Sequence, residues 1–117
     1  MARLSTHVLD TSRGTPASGI AVELCLLQNG GSRSIAKTVT NDDGRTAEPL
    51  LYGETIQTGV YELTFHAGDY FRSAGLALST PPFLDEIVIR FTVSDSLGNY
   101  HVPLLLAPYG YSTYRGS

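Results

Sequence analysis

The stretch Glu86-Ile87-Val88-Ile89-Arg90-Phe91-Thr92-Val93 sets Ile87, Ile89, Phe91 and Val93 on one side of an extended chain and Glu86, Arg90 and Thr92 on the other. Successive side chains of a strand point to opposite faces, so strict alternation marks a half-buried β-strand. The same period recurs outward from this stretch. Tyr61, Leu63 and Phe65 alternate with Val60, Glu62 and Thr64; Ile20, Val22, Leu24 and Leu26 oppose Glu23 and Cys25; Leu4, Thr6 and Val8 oppose Ser5, His7 and Leu9. A weaker run covers Ser32 to Thr40, and two more, Tyr100 to Ala107 and Tyr111 to Arg115, close the chain. Turn-forming residues separate the runs: Asn29-Gly30-Gly31, Asn41-Asp42-Asp43-Gly44, Ser96-Leu97-Gly98-Asn99 and Pro108-Tyr109-Gly110. Seven or eight short strands at about this spacing predict an all-β fold, an antiparallel sandwich. Ala67 to Leu76 departs from the period; Gly68-Asp69 opens and Gly75 closes a helix of about two turns. Pro81-Pro82 marks a loop.

Composition narrows the function classes. At 117 residues the expectation is a single domain spanning 1–117. A hydrophobic share of 42% excludes a disordered chain. Charged residues reach only 16%, against about 25% in ordinary soluble domains, which predicts a surface partly covered by other subunits. Eight basic and 11 acidic residues give a net charge of −3 and no basic stripe, so no nucleic-acid partner is expected. Cys25 stands alone, which excludes an internal disulfide and a cysteine-built zinc site. No apolar run approaches the ~18 residues of a membrane helix. The first residues lack the apolar core of a signal peptide, so a cytoplasmic location is expected.

Few residues offer chemistry. His7 shares a strand face with Ser5 and Leu9, and His101 shares one with Pro103 and Leu105. An imidazole titrates near neutrality and suits a general base, yet from spacing alone a satisfied or merely exposed histidine is the favoured reading of each. Arg45, after the Asn-Asp-Asp-Gly turn, has a guanidinium suited to clamping an oxygen-rich planar ligand; a surface arginine after a turn fits as well. Asp42 and Asp43 read as turn residues. No His-x-x-x-His or Cys-His spacing, phosphate-binding glycine loop or Gly-x-Ser-x-Gly elbow is present. The closing Pro108-Tyr109-Gly110-Tyr111-Ser112-Thr113-Tyr114-Arg115-Gly116-Ser117 is aromatic where chain ends are usually polar and frayed, which fits an end that docks at an interface or pocket and equally an edge strand capped by aromatics.

At these residues the chain resembles the transthyretin-related 5-hydroxyisourate hydrolases over nearly its whole length. The matching motifs are His7-Val8-Leu9-Asp10-Thr11-Ser12 with Gly14 and Pro16-Ala17-Ser18-Gly19, then Thr40 to Arg45, then Thr58-Gly59-Val60-Tyr61. The most specific is Tyr100-His101-Val102-Pro103-Leu104-Leu105-Leu106 followed by the closing Tyr114-Arg115-Gly116-Ser117. The resemblance implies a transthyretin-like sandwich of two four-stranded sheets with one short helix, and a homotetramer built as a dimer of dimers with sites in the channel between dimers. It implies opening of the cyclic amide of 5-hydroxyisourate by water, in urate degradation, without a metal or organic cofactor. His7, Arg45, His101 and Ser117 are its implied catalytic residues, and His7, Arg45 and Tyr114 its implied substrate contacts; His66 matches no catalytic position. The alternative is a transthyretin-like carrier that binds a small ligand without turning it over.

Overall fold

Alternation in the sequence becomes alternation in burial throughout the computed structural model, which describes residues 1–117. Strand β1 (Ala2–Asp10) buries Ala2, Leu4, Thr6, Val8 and Asp10 and turns Arg3, Ser5, His7 and Leu9 outward. After the short β2 (Thr15–Pro16) come β3 (Ala21–Gln28) and β4 (Gly31–Val39), a hairpin closed by the Asn29-Gly30 turn. Next are β5 (Leu51–Gly53), β6 (Gly59–His66), helix α1 (Ala67–Ser73), β7 (Glu86–Val93), β8 (Asn99–Ala107) and β9 (Gly110–Thr113).

Two sheets result. One runs β4-β3-β6-β7, all antiparallel. The other runs β2-β1-β8-β9, and β5 also pairs with β1. Because β2 meets Leu9 and Asp10 while β5 meets Ala2 to Leu4, the two short strands share one edge and the sheet stays four positions wide. The sheets face each other across a core of 23 buried residues that includes Leu24, Tyr61, Phe65, Leu104 and Leu106. No helix is long and apolar enough to cross a membrane.

Two expectations need correction. The sandwich is not wholly antiparallel: β1 and β8 run parallel from Arg3–Asn99 to Asp10–Leu106. Periodicity assigns faces, not directions. Strands this far apart in sequence are free of the hairpin constraint that makes neighbours antiparallel. The last strand also ends at Thr113, not Arg115, because the chain turns back and Gly116 pairs with His101.

Helix α1 has the expected length, and its Ala74 and Gly75 N–H groups close the last turn on Tyr70 and Arg72 carbonyls. Tyr70 ties it to the β1-β8 sheet by donating to the fully buried Asp10 carboxylate at 2.7 Å, while the Ser12 hydroxyl donates to the other Asp10 oxygen at 2.6 Å. Burial, then the Asp10 contact, push the Tyr70 phenol up to about 12, so it stays a donor.

Candidate active site

The parallel pairing of β1 and β8 builds the site. Its register sets Ser5 beside His101 and His7 beside Pro103, and the pleat turns Ser5, His7 and His101 to the same outward face. Residues level with each other on neighbouring strands have Cβ atoms about 5 Å apart. Ser5 Oγ lies 2.9 Å from His101 Nδ1 accordingly, and Nε2 makes no hydrogen bond within the chain.

Arg45 arrives from the turn after β4. Asn41 shapes that turn by accepting the N–H groups of Asp43 and Arg45 on its side-chain oxygen. The Val8 N–H then donates to the Gly44 carbonyl at 2.8 Å, and Arg45 forms a β-bridge with His7. Gly44 has φ +73°, and a Cβ there would stand 2.3 Å from the Val8 carbonyl oxygen. Only glycine lets the turn approach β1 this closely.

The chain end arrives last. Thr113 donates its hydroxyl to the Pro103 carbonyl at 2.8 Å, Arg115 lies 4.2 Å over the Tyr100 ring, and the Gly116 N–H donates to the His101 carbonyl at 2.7 Å. A Cβ on Gly116 would sit 2.7 Å from Cδ2 of the His101 ring. The end therefore docks through its backbone at Gly116, next to Ser117, while Tyr109, Tyr111 and Tyr114 stay exposed and β9 forms the edge of its sheet, so the aromatic side chains do not make the docking contact within the chain.

Cations dominate the electrostatics around His101. Burial first, then the charges of Arg45, His7 and Arg3, hold the His101 imidazole below its ordinary range. Arg3, His7, Arg45 and His101 take part in no ion pair. Arg3, Ser5 and Arg45 line a hollow of about 170 Å³ along with Thr46, Glu48 and Pro49. A neutral imidazole beside unpaired guanidinium groups is equipped to take a proton from water while a carbonyl oxygen gains negative charge.

His7, Arg45 and His101 thus come together, with Ser117 adjoining. Tyr114 does not join them within the chain: it lines a separate cavity of about 280 Å³ with Ile89, Phe91, Tyr100 and Arg115. His66 lies at the start of α1, 3.6 Å from Glu86, away from the cluster. Asp42 and Asp43 lie in the turn as expected, and Asp42 also accepts from Ser18 of the loop before β3 at 3.0 Å. No three His, Cys, Asp or Glu side chains gather as a metal site would need. Sequence reasoning passed over Ser5 and Arg3, although both alternate with the core residues of β1. Their signal was the shared face with His7; what was missing was the partner strand.

Comparison with known proteins supplies the family and supports the fold. The sequence profile of the HIUase/Transthyretin family matches residues 4–116. 5-Hydroxyisourate hydrolase 2 of Rhizobium meliloti is 57% identical over 116 residues, covering 98% of this chain and 96% of its own. The solved 5-hydroxyisourate hydrolase of Klebsiella pneumoniae is 38% identical and superposes with a TM-score of 0.83 over 100% of both chains. An (S)-allantoin synthase structure superposes with a TM-score of 0.92 at 44% identity; the match covers 99% of this chain but 44% of that one.

Proposed function

The chain belongs to the HIUase/transthyretin family, and from that premise we propose that it is an enzyme, a hydrolase that opens the cyclic amide of 5-hydroxyisourate. The observation that carries this reading is the convergence of His7, Arg45 and His101 on one outward face, in a chain 57% identical to a relative named for that activity. A ligand carrier has no use for a proton acceptor beside uncompensated guanidinium groups, so the carrier reading is the weaker one.

In the proposed mechanism His101, neutral near pH 7, takes a proton from water as the oxygen attacks the ring carbonyl. Arg45 holds the ring's carbonyl oxygens and stabilises the oxyanion. His7 orients the substrate or relays the proton to the departing ring nitrogen. Ser117 helps place substrate or water. The amide bond breaks, the carbonyl carbon becomes a carboxylate, and the product is 2-oxo-4-hydroxy-4-carboxy-5-ureidoimidazoline, a step in urate degradation. No metal or organic cofactor enters the scheme.

The proposal extends to a cytoplasmic homotetramer, a dimer of dimers. Leu9 and Leu105 are only half buried on the face that carries His7 and His101, and a second dimer laid on that face would cover them. Tyr114 would reach substrate only across a subunit boundary, since in its own chain it lines a different cavity.

The test is a coupled ultraviolet assay in which urate oxidase generates 5-hydroxyisourate and its decay is followed. Decay faster than the spontaneous rate, lost in His101→Asn, is expected. A folded protein that leaves the spontaneous rate unchanged would falsify the hydrolase reading and favour the carrier.

A further inference from the structure

Ser5 carries no role in the mechanism above, yet it is the one side chain hydrogen-bonded to His101. The neighbouring hydroxyl on β1 is unavailable for this, because Thr6 faces the core and donates to the Val102 carbonyl at 2.7 Å. Ser5 Oγ makes no other hydrogen bond within the chain. Gly116, whose N–H bonds the His101 carbonyl, runs so close to the Cδ2 edge of the ring that a Cβ there would stand 2.7 Å from it, and Nε2 is left without a hydrogen bond. His101 is thus held at Nδ1 by a hydroxyl, confined along Cδ2 by a backbone, and open at a single nitrogen.

The partner one nitrogen makes decides which nitrogen of a neutral imidazole carries the proton. We propose that Ser5 is a positioning residue for His101: its Oγ accepts the Nδ1–H and so fixes the tautomer whose lone pair lies on Nε2. The proposal rests on the hydrolase reading, in which that lone pair takes the proton from water.

The choice of serine has a physical logic. Orienting histidines elsewhere often falls to a carboxylate, which also stabilises the imidazolium. The charged groups acting on His101 are Arg45 from the turn after β4 and His7 and Arg3 from β1; Glu48 lines the hollow shared by Arg3, Ser5 and Arg45 but is not among them. A neutral hydroxyl can accept from Nδ1 without adding negative charge, so it leaves in place the lowering of the ring's proton affinity by burial and the neighbouring cations. A carboxylate in its place would raise the proton affinity and counter the effect of the arginines.

The test compares the parent protein with Ser5→Ala and Ser5→Thr. Nitrogen-15 shifts of the His101 ring, assigned by their absence in His101→Asn, report the tautomer above the ring's titration. Steady-state hydrolysis of freshly generated 5-hydroxyisourate across pH reports its consequence. In the parent, the proton is expected on Nδ1. In Ser5→Ala the Nε2–H form should appear and kcat fall at least about tenfold, with KM changed by less than about twofold. Ser5→Thr, which keeps the hydroxyl on a strand-favouring side chain, should restore both. An Nε2–H ring in the parent, or an Nδ1–H ring that persists in Ser5→Ala with parental kcat, overturns the proposal. A parent that does not accelerate the decay overturns the hydrolase reading instead, and the nitrogen shifts then decide Ser5's hold on the ring by themselves.

Discussion

The outward faces of the two sheets are built from the same alternation and have opposite electrostatics. On the β4-β3-β6-β7 face, each basic group on β4, β6 or β7 opposite an acid has found it. Glu23 meets Lys37 at 3.8 Å and the Ser34 hydroxyl at 2.8 Å, Glu62 takes two Arg90 bonds at 2.7 and 2.9 Å, and Glu86 stands 3.6 Å from His66. On the β1-β8 face, Arg3, His7 and His101, joined by Arg45 from the adjoining turn, have no acidic partner. Clustered like charges destabilise a fold slightly and persist where they meet something from outside. The difference teaches that the histidines and arginines of this chain are told apart by their partners, not by their residue types: His66 is paired and idle, His101 is unpaired and poised.

The strongest way to break that contrast is to remove the poised groups. His101→Asn and Arg45→Ala are each expected to lower turnover of 5-hydroxyisourate by about 10²–10⁴-fold. Circular dichroism and sedimentation should match the parent, since neither side chain belongs to the core. Near-parental turnover in both variants would mean that the uncompensated face is incidental. Gly116→Ala comes next. Its Cβ would fall 2.7 Å from the His101 ring, so ring or tail must shift. A loss of about tenfold in kcat is expected, with the melting temperature within a few degrees of the parent because Gly116 joins its sheet by a single isolated bridge. Full activity would show that the tail's packing on the ring does not matter to the chemistry.

Much of this was legible in the sequence, and the limits have a physical origin. Alternation gave the faces of β1, β3, β6, β7 and β8 correctly, because burial of one face is a local property of a strand. The helix was legible from Gly68-Asp69 and Gly75. Strand direction was not: nothing in Leu4 to Val8 or Tyr100 to Leu106 says that they run parallel, and on that pairing depends the Ser5–His101 contact. The end of the last strand was misplaced for a related reason, since Gly116 is recruited by a strand fifteen residues earlier in the chain. The site residues were legible through the resemblance of their motifs; from spacing alone His7, His66 and His101 were equivalent. Arg3 and Ser5 belong to no such motif, and only the register places them around His101.

A smaller effect sharpens the contrast by reversing a charge. His101 must be neutral to accept a proton, so turnover should fall as pH drops through its folded-state value. That acid limb should lie below the ordinary histidine value of about 6.5, because burial and the neighbouring cations disfavour the imidazolium. Arg3→Glu exchanges a cation that disfavours imidazolium for an anion that favours it. The limb should move to higher pH by less than about one unit, Arg3 being exposed and screened. A pH–rate profile of kcat/KM reads the shift directly; a limb that stays in place would mean the arginines do not set the histidine's proton affinity.

The smallest effect is expected on the paired face, and it is informative because it is small. Lys37 has a side chain 74% exposed and stands 3.8 Å from Glu23, which keeps the Ser34 hydroxyl if the lysine is removed. Exposed pairs of this kind contribute about 0–1 kcal/mol and weaken with salt. Lys37→Ala should therefore lower the unfolding free energy by less than about 1 kcal/mol in a denaturant titration, the difference should shrink as salt is added, and turnover should stay within about twofold of the parent. A loss of turnover comparable to that of Arg45→Ala would mean that charge anywhere on the sandwich supports catalysis, through the field of the whole molecule. If turnover is untouched, the requirement for cations is confined to the face where they have no partners, and the pairing of charge on the other face is what keeps it out of the chemistry.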